Sequence, residues 1–176
     1  MDKVFDAAGE ALCCAAAVRL GGALCVLAAR AGLSDRYEKV AVGVGNLVAF
    51  LDGQERDDDV LAEAFVANWS LGTRYRDELP GAAFFRAGLR IVDVAIIVAR
   101  TEQPVSPVQG LSHALEAASG WPAEVRIGSF TRLADFESAC QTEAEERLGT
   151  DGLPALRKLA EAQADHYRRA AASLVG

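Results

Sequence analysis

This 176-residue chain is poor in the residues that usually mark chemistry. It has two histidines, His113 and His166, and four cysteines, Cys13, Cys14, Cys25 and Cys140. No CxxC pair occurs, and both histidines lie far from the cysteines in sequence, so the short paired spacings of a tetrahedral zinc site are missing. GxSxG, HExxH and Walker A patterns are missing too. A cysteine nucleophile needs a histidine base brought to it through space, and neither histidine sits in a recognisable catalytic loop. Basic charge is in deficit, with 18 Lys and Arg against 25 Asp and Glu and a net charge of −7. A nucleic-acid binder needs a basic face to release counterions, which excludes that class. The acidic start, with Asp2, Asp6 and Glu10, lacks the positive region of a secretory signal. No low-complexity linker and no tandem repeat interrupts the chain.

Apolar and helix-forming residues dominate instead. Hydrophobic types make up 51% of the chain, and 34 residues are alanine. Alanine is the strongest helix former, so the composition points to closely packed helices. Residues 11–31 form the one stretch that resembles a membrane span. Arg19 stands at its middle, where insertion would cost about 2.5–3.5 kcal/mol, and Gly21-Gly22 follow. The reading is therefore a buried helix or a helical hairpin. The cysteines read as small buried hydrophobes in a reducing compartment, which points to the cytoplasm.

Helix punctuation recurs along the chain. Gly32 suits a helix C-terminus. Ser34-Asp35 with Glu38 reads as a capping box for the next helix, which Asp52-Gly53 closes. The acidic run Asp57-Asp58-Asp59 fits a helix N-terminus better than a metal triad, and Leu61, Ala64, Phe65, Asn68 and Trp69 follow as an inward stripe. Pro80-Gly81 opens a helix from Ala82 to Arg100 that looks apolar on all faces and so belongs in the middle of the domain. Asp93 on it reads as a structural carboxylate paired with an arginine. Ser106-Pro107 with Gln109 caps a further helix that stops at Gly120-Trp121-Pro122. A long helix from Ser129 to Leu148 would turn Phe130, Leu133, Phe136 or Glu137, Cys140, Ala144 and Leu148 inward. Residues 149–152 form the last turn, and a helix of about six turns ends the chain. A rival βαβα reading of residues 90–148 rests on β-branched Ile91–Val98, and would make Gly43-Val44-Gly45 a phosphate loop. That glycine string lacks the third glycine, since Val48 stands there.

Three segments resemble the phycobiliproteins, the globin-like light-harvesting subunits. Leu89-Arg90-Ile91-Val92-Asp93-Val94-Ala95-Ile96 resembles the family's central Leu-Arg-x-Val-Thr-Tyr-Ala-x pattern. Gly110-Leu111, Glu116, Ala118, Gly120 and Pro122 are similar to its Gly-Leu-x-Glu stretch, with the glutamate shifted. His166-Tyr167-Arg168-Arg169-Ala170-Ala171-Ala172 resembles its ending. The resemblance implies a globin-like all-α fold of about seven to eight helices, with an N-terminal helix or hairpin (1–33) for subunit pairing and a helical core (34–176). It implies a cytoplasmic protein, or one at the plastid thylakoid surface. The family's bilin-bearing cysteine, arginine and aspartate fall on Gly81, Ala83 and Phe84, which cannot attach, pair with or hydrogen-bond a bilin. The chain thus looks like a divergent member without the usual chromophore, and no cofactor is expected. The second family cysteine falls near Leu153. Cys140 is left as a weak bilin candidate.

The leading expectation is a non-enzymatic subunit or adaptor in a homo- or hetero-oligomer with a related helical partner, binding no nucleic acid and spanning no membrane. The expected interface is Val4, Phe5, Leu12, Leu20, Leu24 and Leu27, with Ala15, Ala16, Ala17, Gly21 and Gly22 permitting close approach. One alternative is a small-molecule sensor or carrier with an interhelical pocket at Phe84, Phe85 and Trp121. The other is an α/β enzyme built on residues 39–148.

Overall fold

The alanine-rich first segment folds as one uninterrupted helix, α1 (Lys3–Arg30), and most of the other helices pack around it. In the computed structural model, residues 3–100 and 107–175 are described, with side chains at 7–100 and 108–175. Among them are six further helices: α2 (Ser34–Leu51), α3 (Asp58–Arg74), α4 (Ala82–Arg100), α5 (Pro107–Ser119), α6 (Leu133–Asp151) and α7 (Leu153–Leu174). The all-α expectation holds. No strand occurs among the described residues, only an isolated bridge between Ile127 and Phe130. The α/β alternative on residues 39–148 is thereby overturned. Gly43-Val44-Gly45 lies inside α2, and Ile91–Val98 lies inside α4. β-branching gave way there to burial of one helical face.

α1 packs against α2, α4, α5, α6 and α7, most extensively against α7. A helix enclosed on so many sides has no polar face to spare, which explains why residues 11–29 are small or apolar except Arg19. Its Ala7–Arg30 window is long and apolar enough to cross a membrane, yet 78% of the window is buried inside the bundle. This corrects two expectations. α1 occupies the central place assigned from sequence to residues 82–100. It is also part of the core rather than an appended pairing helix. α4 is one-sided, with Phe84, Phe85, Leu89, Ile91, Val92 and Ile96 inward and Ala83, Arg90 and Arg100 exposed.

Gly21-Gly22 does not turn the chain. It removes bulk where α1 crosses α7: a Cβ at Gly22 would run into the backbone carbonyl of Ala164. Gly110 does the same for α5, where a Cβ would meet the thiol of Cys13. Small residues at such crossings bring helix axes together and let larger side chains interlock beside them.

The boundaries follow local chemistry. Gly32 ends α1 in the left-handed region, φ 69°. The capping box expected at Ser34 does not form, since Ser34 already lies in α2 and Leu33 at the cap makes no side-chain bond. Asp57 does cap α3, accepting from the amides of Asp59 (3.0 Å) and Val60 (3.2 Å). α6 starts later than expected, because residues 127–130 close a tight turn at Gly128, φ 58°. α6 and α7 are parted by Gly152 alone, φ 78°. The capping residue expected at Ser106 lies outside the described residues.

Gly22→Ala and Gly45→Ala should act with opposite sign. Both add helix propensity, by up to about 1 kcal/mol. At Gly45 a Cβ meets nothing within 4 Å, so that variant gains stability. At Gly22 overpacking against Ala164 costs about 1–3 kcal/mol and wins. Urea unfolding midpoints read the difference, and a shift of the same sign in both variants would contradict the α1–α7 crossing.

Candidate functional site

Three places hold the residues singled out from sequence or the unusual chemistry of the fold. The first is the centre of the bundle. Arg19 on α1 and Glu137 on α6 are both fully buried. The guanidinium donates twice, Nε to Glu137 Oε2 at 2.9 Å and Nη2 to Oε1 at 2.5 Å. Tyr167 on α7 donates its hydroxyl to Oε2 at 2.6 Å, and Gln141 donates to Oε1 at 2.9 Å. The carboxylate therefore accepts four hydrogen bonds from three helices. Burial alone would push the arginine pKa down, but the facing carboxylate outweighs it and holds the arginine charged. Burial, then the charge of Glu137, pushes the Tyr167 phenol well up, so Tyr167 stays a donor. The group ties α1, α6 and α7 together.

Two of the cysteines, Cys13 and Cys140, lie beside this centre. Cys13, Cys14 and Cys140 are buried. Burial pushes the thiols of Cys13 and Cys140 up to about 12. Cys140 was the bilin candidate; its thiol instead lies in the interior beside the charges of Arg19 and Glu137. A buried thiol with a raised pKa is a poor nucleophile, so nothing in the fold adds support for Cys140 as an attachment point.

The second place is the aromatic group expected to line a pocket. Phe84 and Trp121 do meet, edge to face at 4.8 Å, and Phe84 also stacks near Tyr167 at 6.1 Å. Phe85 is elsewhere, stacked on Tyr75 at 4.0 Å. Phe84 and Phe85 are wholly buried and line no opening, while half-buried Trp121 faces a cleft beside α7. The expected interface fares differently again. Leu20, Leu24 and Leu27 are completely buried, and Leu12 is partly buried against the core. These side chains are spent on the bundle itself and offer no face to a partner. Val4 and Phe5 lie outside the described side chains. Among the described residues Asp93 finds no arginine within ion-pair distance. It accepts from Asn68 at 2.7 Å, and Asn68 also donates to the Leu89 carbonyl at 2.7 Å.

The third place is the outer face of α3, which sequence reasoning missed. Trp69 was assigned to the inward stripe. The inward row is in fact Leu61, Ala64, Asn68 and Leu71, and Trp69 stands one residue, about 100°, past Asn68. It is 74% exposed, and Val66, one turn earlier, is 68% exposed. The signal was present in the spacing: Val66 and Trp69 are three apart and share a side that the inward row does not use. Val42 on α2 is 55% exposed, one turn on from Lys39, which reaches Glu63 of α3 at 4.0 Å. Between the two helices a groove of about 730 Å³ is lined by Leu33, Arg36, Lys39, Ala62, Glu63 and Val66 among others. Among the described residues, no group of three or more metal-ligating side chains forms.

Compared with protein-family models, with curated proteins and with solved structures, the chain matches none.

Arg19→Met strands the Glu137 carboxylate in the interior and should cost about 3–5 kcal/mol by chemical denaturation. Arg19→Met with Glu137→Leu should recover most of that loss, whereas a charge pair that contributed only surface attraction would show a small loss and no recovery. Stability should also fall in alkali. The ordinary thiol value is 9.0 and the folded value of Cys13 and Cys140 about 12, so between the two the folded chain holds more protons. The full contribution is present below pH 9 and is lost as pH rises towards 12, by up to ~1.4 kcal/mol per pH unit for each thiol. Urea midpoints at pH 8 and above pH 10 measure the slope, and Cys140→Ala should flatten it.

Proposed function

We propose that this protein is a non-enzymatic helical subunit that works by pairing with a second copy of itself through the outer face of α3. The observation that carries the reading is Trp69, a large indole presented to solvent beside Val66. Tryptophan left exposed on a helix, next to another apolar side chain, is the usual centre of an interface. The role keeps what the phycobiliprotein resemblance implies, a subunit that associates without a chromophore at the usual site. It moves the association surface from α1 to α3.

Charge pattern selects the partner. α3 is acidic at its start, with exposed Asp58, Asp59 and Glu63, and ends in exposed Arg74. Arg74 has no carboxylate within ion-pair distance among the described residues. Val66 lies midway between Asp59 and Thr73, about two turns from each. A two-fold axis at Val66 lays α3 antiparallel on its copy. Asp59 and Glu63 then come over the second copy's Arg74, and each Trp69 crosses the second copy's Ala62. Such an isologous contact uses one patch twice and satisfies both charge clusters.

Sedimentation or light scattering over a concentration series tests this. The native chain should dimerise, and Trp69→Ser should remain monomeric with unchanged helicity, because an exposed side chain contributes within about 0.5 kcal/mol to the monomer fold. Arg74→Glu should weaken pairing and Asp59→Arg added to it should restore pairing. A native chain that stays monomeric at its solubility limit would contradict the proposal.

A further inference from the structure

The chain is acidic overall, and most of its described arginines answer to a carboxylate. Arg56 pairs with Glu10, Arg86 with Asp77, Arg90 with Glu116, Arg132 with Asp135, Arg147 with Asp151 and Arg168 with Asp165. Arg126 and Arg169 have no carboxylate within ion-pair distance among the described residues. Both line one cleft of about 600 Å³, between the second half of α7 and the extended segment 121–128. Two unneutralised guanidiniums converging on one opening, in a protein with a surplus of seven negative charges, are out of keeping with a passive surface.

The rest of the cleft completes a recognisable set. His166 lines it and lies 2.9 Å, through Nδ1, from Nη2 of Arg169. Arginine has no acceptor, so in this contact Nδ1 accepts and Nε2 is left to donate an N–H. The imidazole is held edge to face against Phe136 at 5.5 Å. On the other side stands Trp121, itself fixed by Phe84 at 4.8 Å. Ala170 and Leu174 add apolar surface. The Ser173 hydroxyl, also at the cleft, donates to the Arg169 carbonyl at 3.0 Å. One acidic residue, exposed Glu124, stands in the lining.

We infer that this cleft binds a small phosphate monoester with a flat apolar body. Two guanidiniums and one imidazole N–H supply donors for the three terminal oxygens of a phosphate, where a carboxylate offers two. Arginine is the side chain suited to oxyanions, through its fork of charge-assisted donors. Trp121 with Leu174 gives an apolar body its contact, and the volume is that of a small-molecule site. The site lies on α7 and the 121–128 segment, away from the α3 face, so it neither requires nor excludes the pairing proposed above.

Phenyl phosphate is the probe. In the Trp69→Phe variant of this 176-residue chain Trp121 is the only indole, because the sequence has two tryptophans, and its fluorescence reports the cleft directly. A saturable change with phenyl phosphate is expected. It should weaken at least tenfold in Arg169→Gln and in Arg126→Gln, both exposed positions where the fold does not depend on the charge. Glu124→Gln should tighten binding by removing the one repulsive charge. Benzoate should bind more weakly than phenyl phosphate, and neutral benzyl alcohol should give no saturable change. The inference is overturned if no saturable change occurs, if both arginine variants bind as the parent does, or if benzyl alcohol or benzoate binds as well as phenyl phosphate.

Discussion

One buried ion pair constrains the whole bundle. Arg19 sits halfway along α1, where no other charged residue stands between Glu10 and Arg30, and it is enclosed by the protein on every side. A guanidinium in that position is tolerable only with a carboxylate in reach and the remaining lone pairs filled. Glu137 supplies the carboxylate from α6, Tyr167 and Gln141 fill its oxygens, and the register of α1 against α6 and α7 is set by that requirement. Apolar helices slide past one another at little cost; a bidentate pair with a phenol behind it fits in one alignment.

Much else follows from fixing α1 there. With Arg19 committed to Glu137, the opposite side of α1 meets α2 and α4, and its small residues let five helices approach. The Gly22–Ala164 crossing belongs to the same contact. Tyr167 links the pair outward. It packs against Phe84 and Phe136, which in turn position Trp121 and His166 at the cleft. The polar centre thus holds the aromatic floor beneath the two unpaired arginines. α3, by contrast, does not touch α1. It is carried on α2 and α4, which leaves one of its sides unclaimed, and that is the side bearing Val66 and Trp69.

Helix existence was readable from punctuation: Gly32, Asp57, Pro80-Gly81 and Gly120 each stop or start an element by purely local chemistry. Placement was not. Ala82–Arg100 looked central because its apolar residues run round the helix, yet the helix with five neighbours is α1, whose alanines and glycines let them come close. The α1 leucines read as sticky for the same reason that they are core. Exposed and buried apolar stripes carry identical spacing, and only the tertiary partner separates them. Trp69 shows the converse, since an aromatic near an inward row is drawn into it by eye although it points elsewhere. The Arg19–Glu137 pair was half legible. Arg19 was conspicuous, and Glu137 shared its inward position with Phe136, but a contact spanning 118 residues has no local signature. The basic cleft left no trace in sequence, because Arg126 and Arg169 converge only once the 121–128 segment lies along α7.

α1 is the locked interior strut, and the proposed pairing gives α3 the face that meets a partner. Hydrogen exchange of the native protein at a low and a high concentration tests both halves at once. Amides of α1 around Arg19 should be the slowest in the chain at either concentration, since they open only with global unfolding. Those of α3 around Val66 and Trp69 should slow as concentration rises. Rapid exchange at the middle of α1, or exchange in α3 that ignores concentration, would contradict the account.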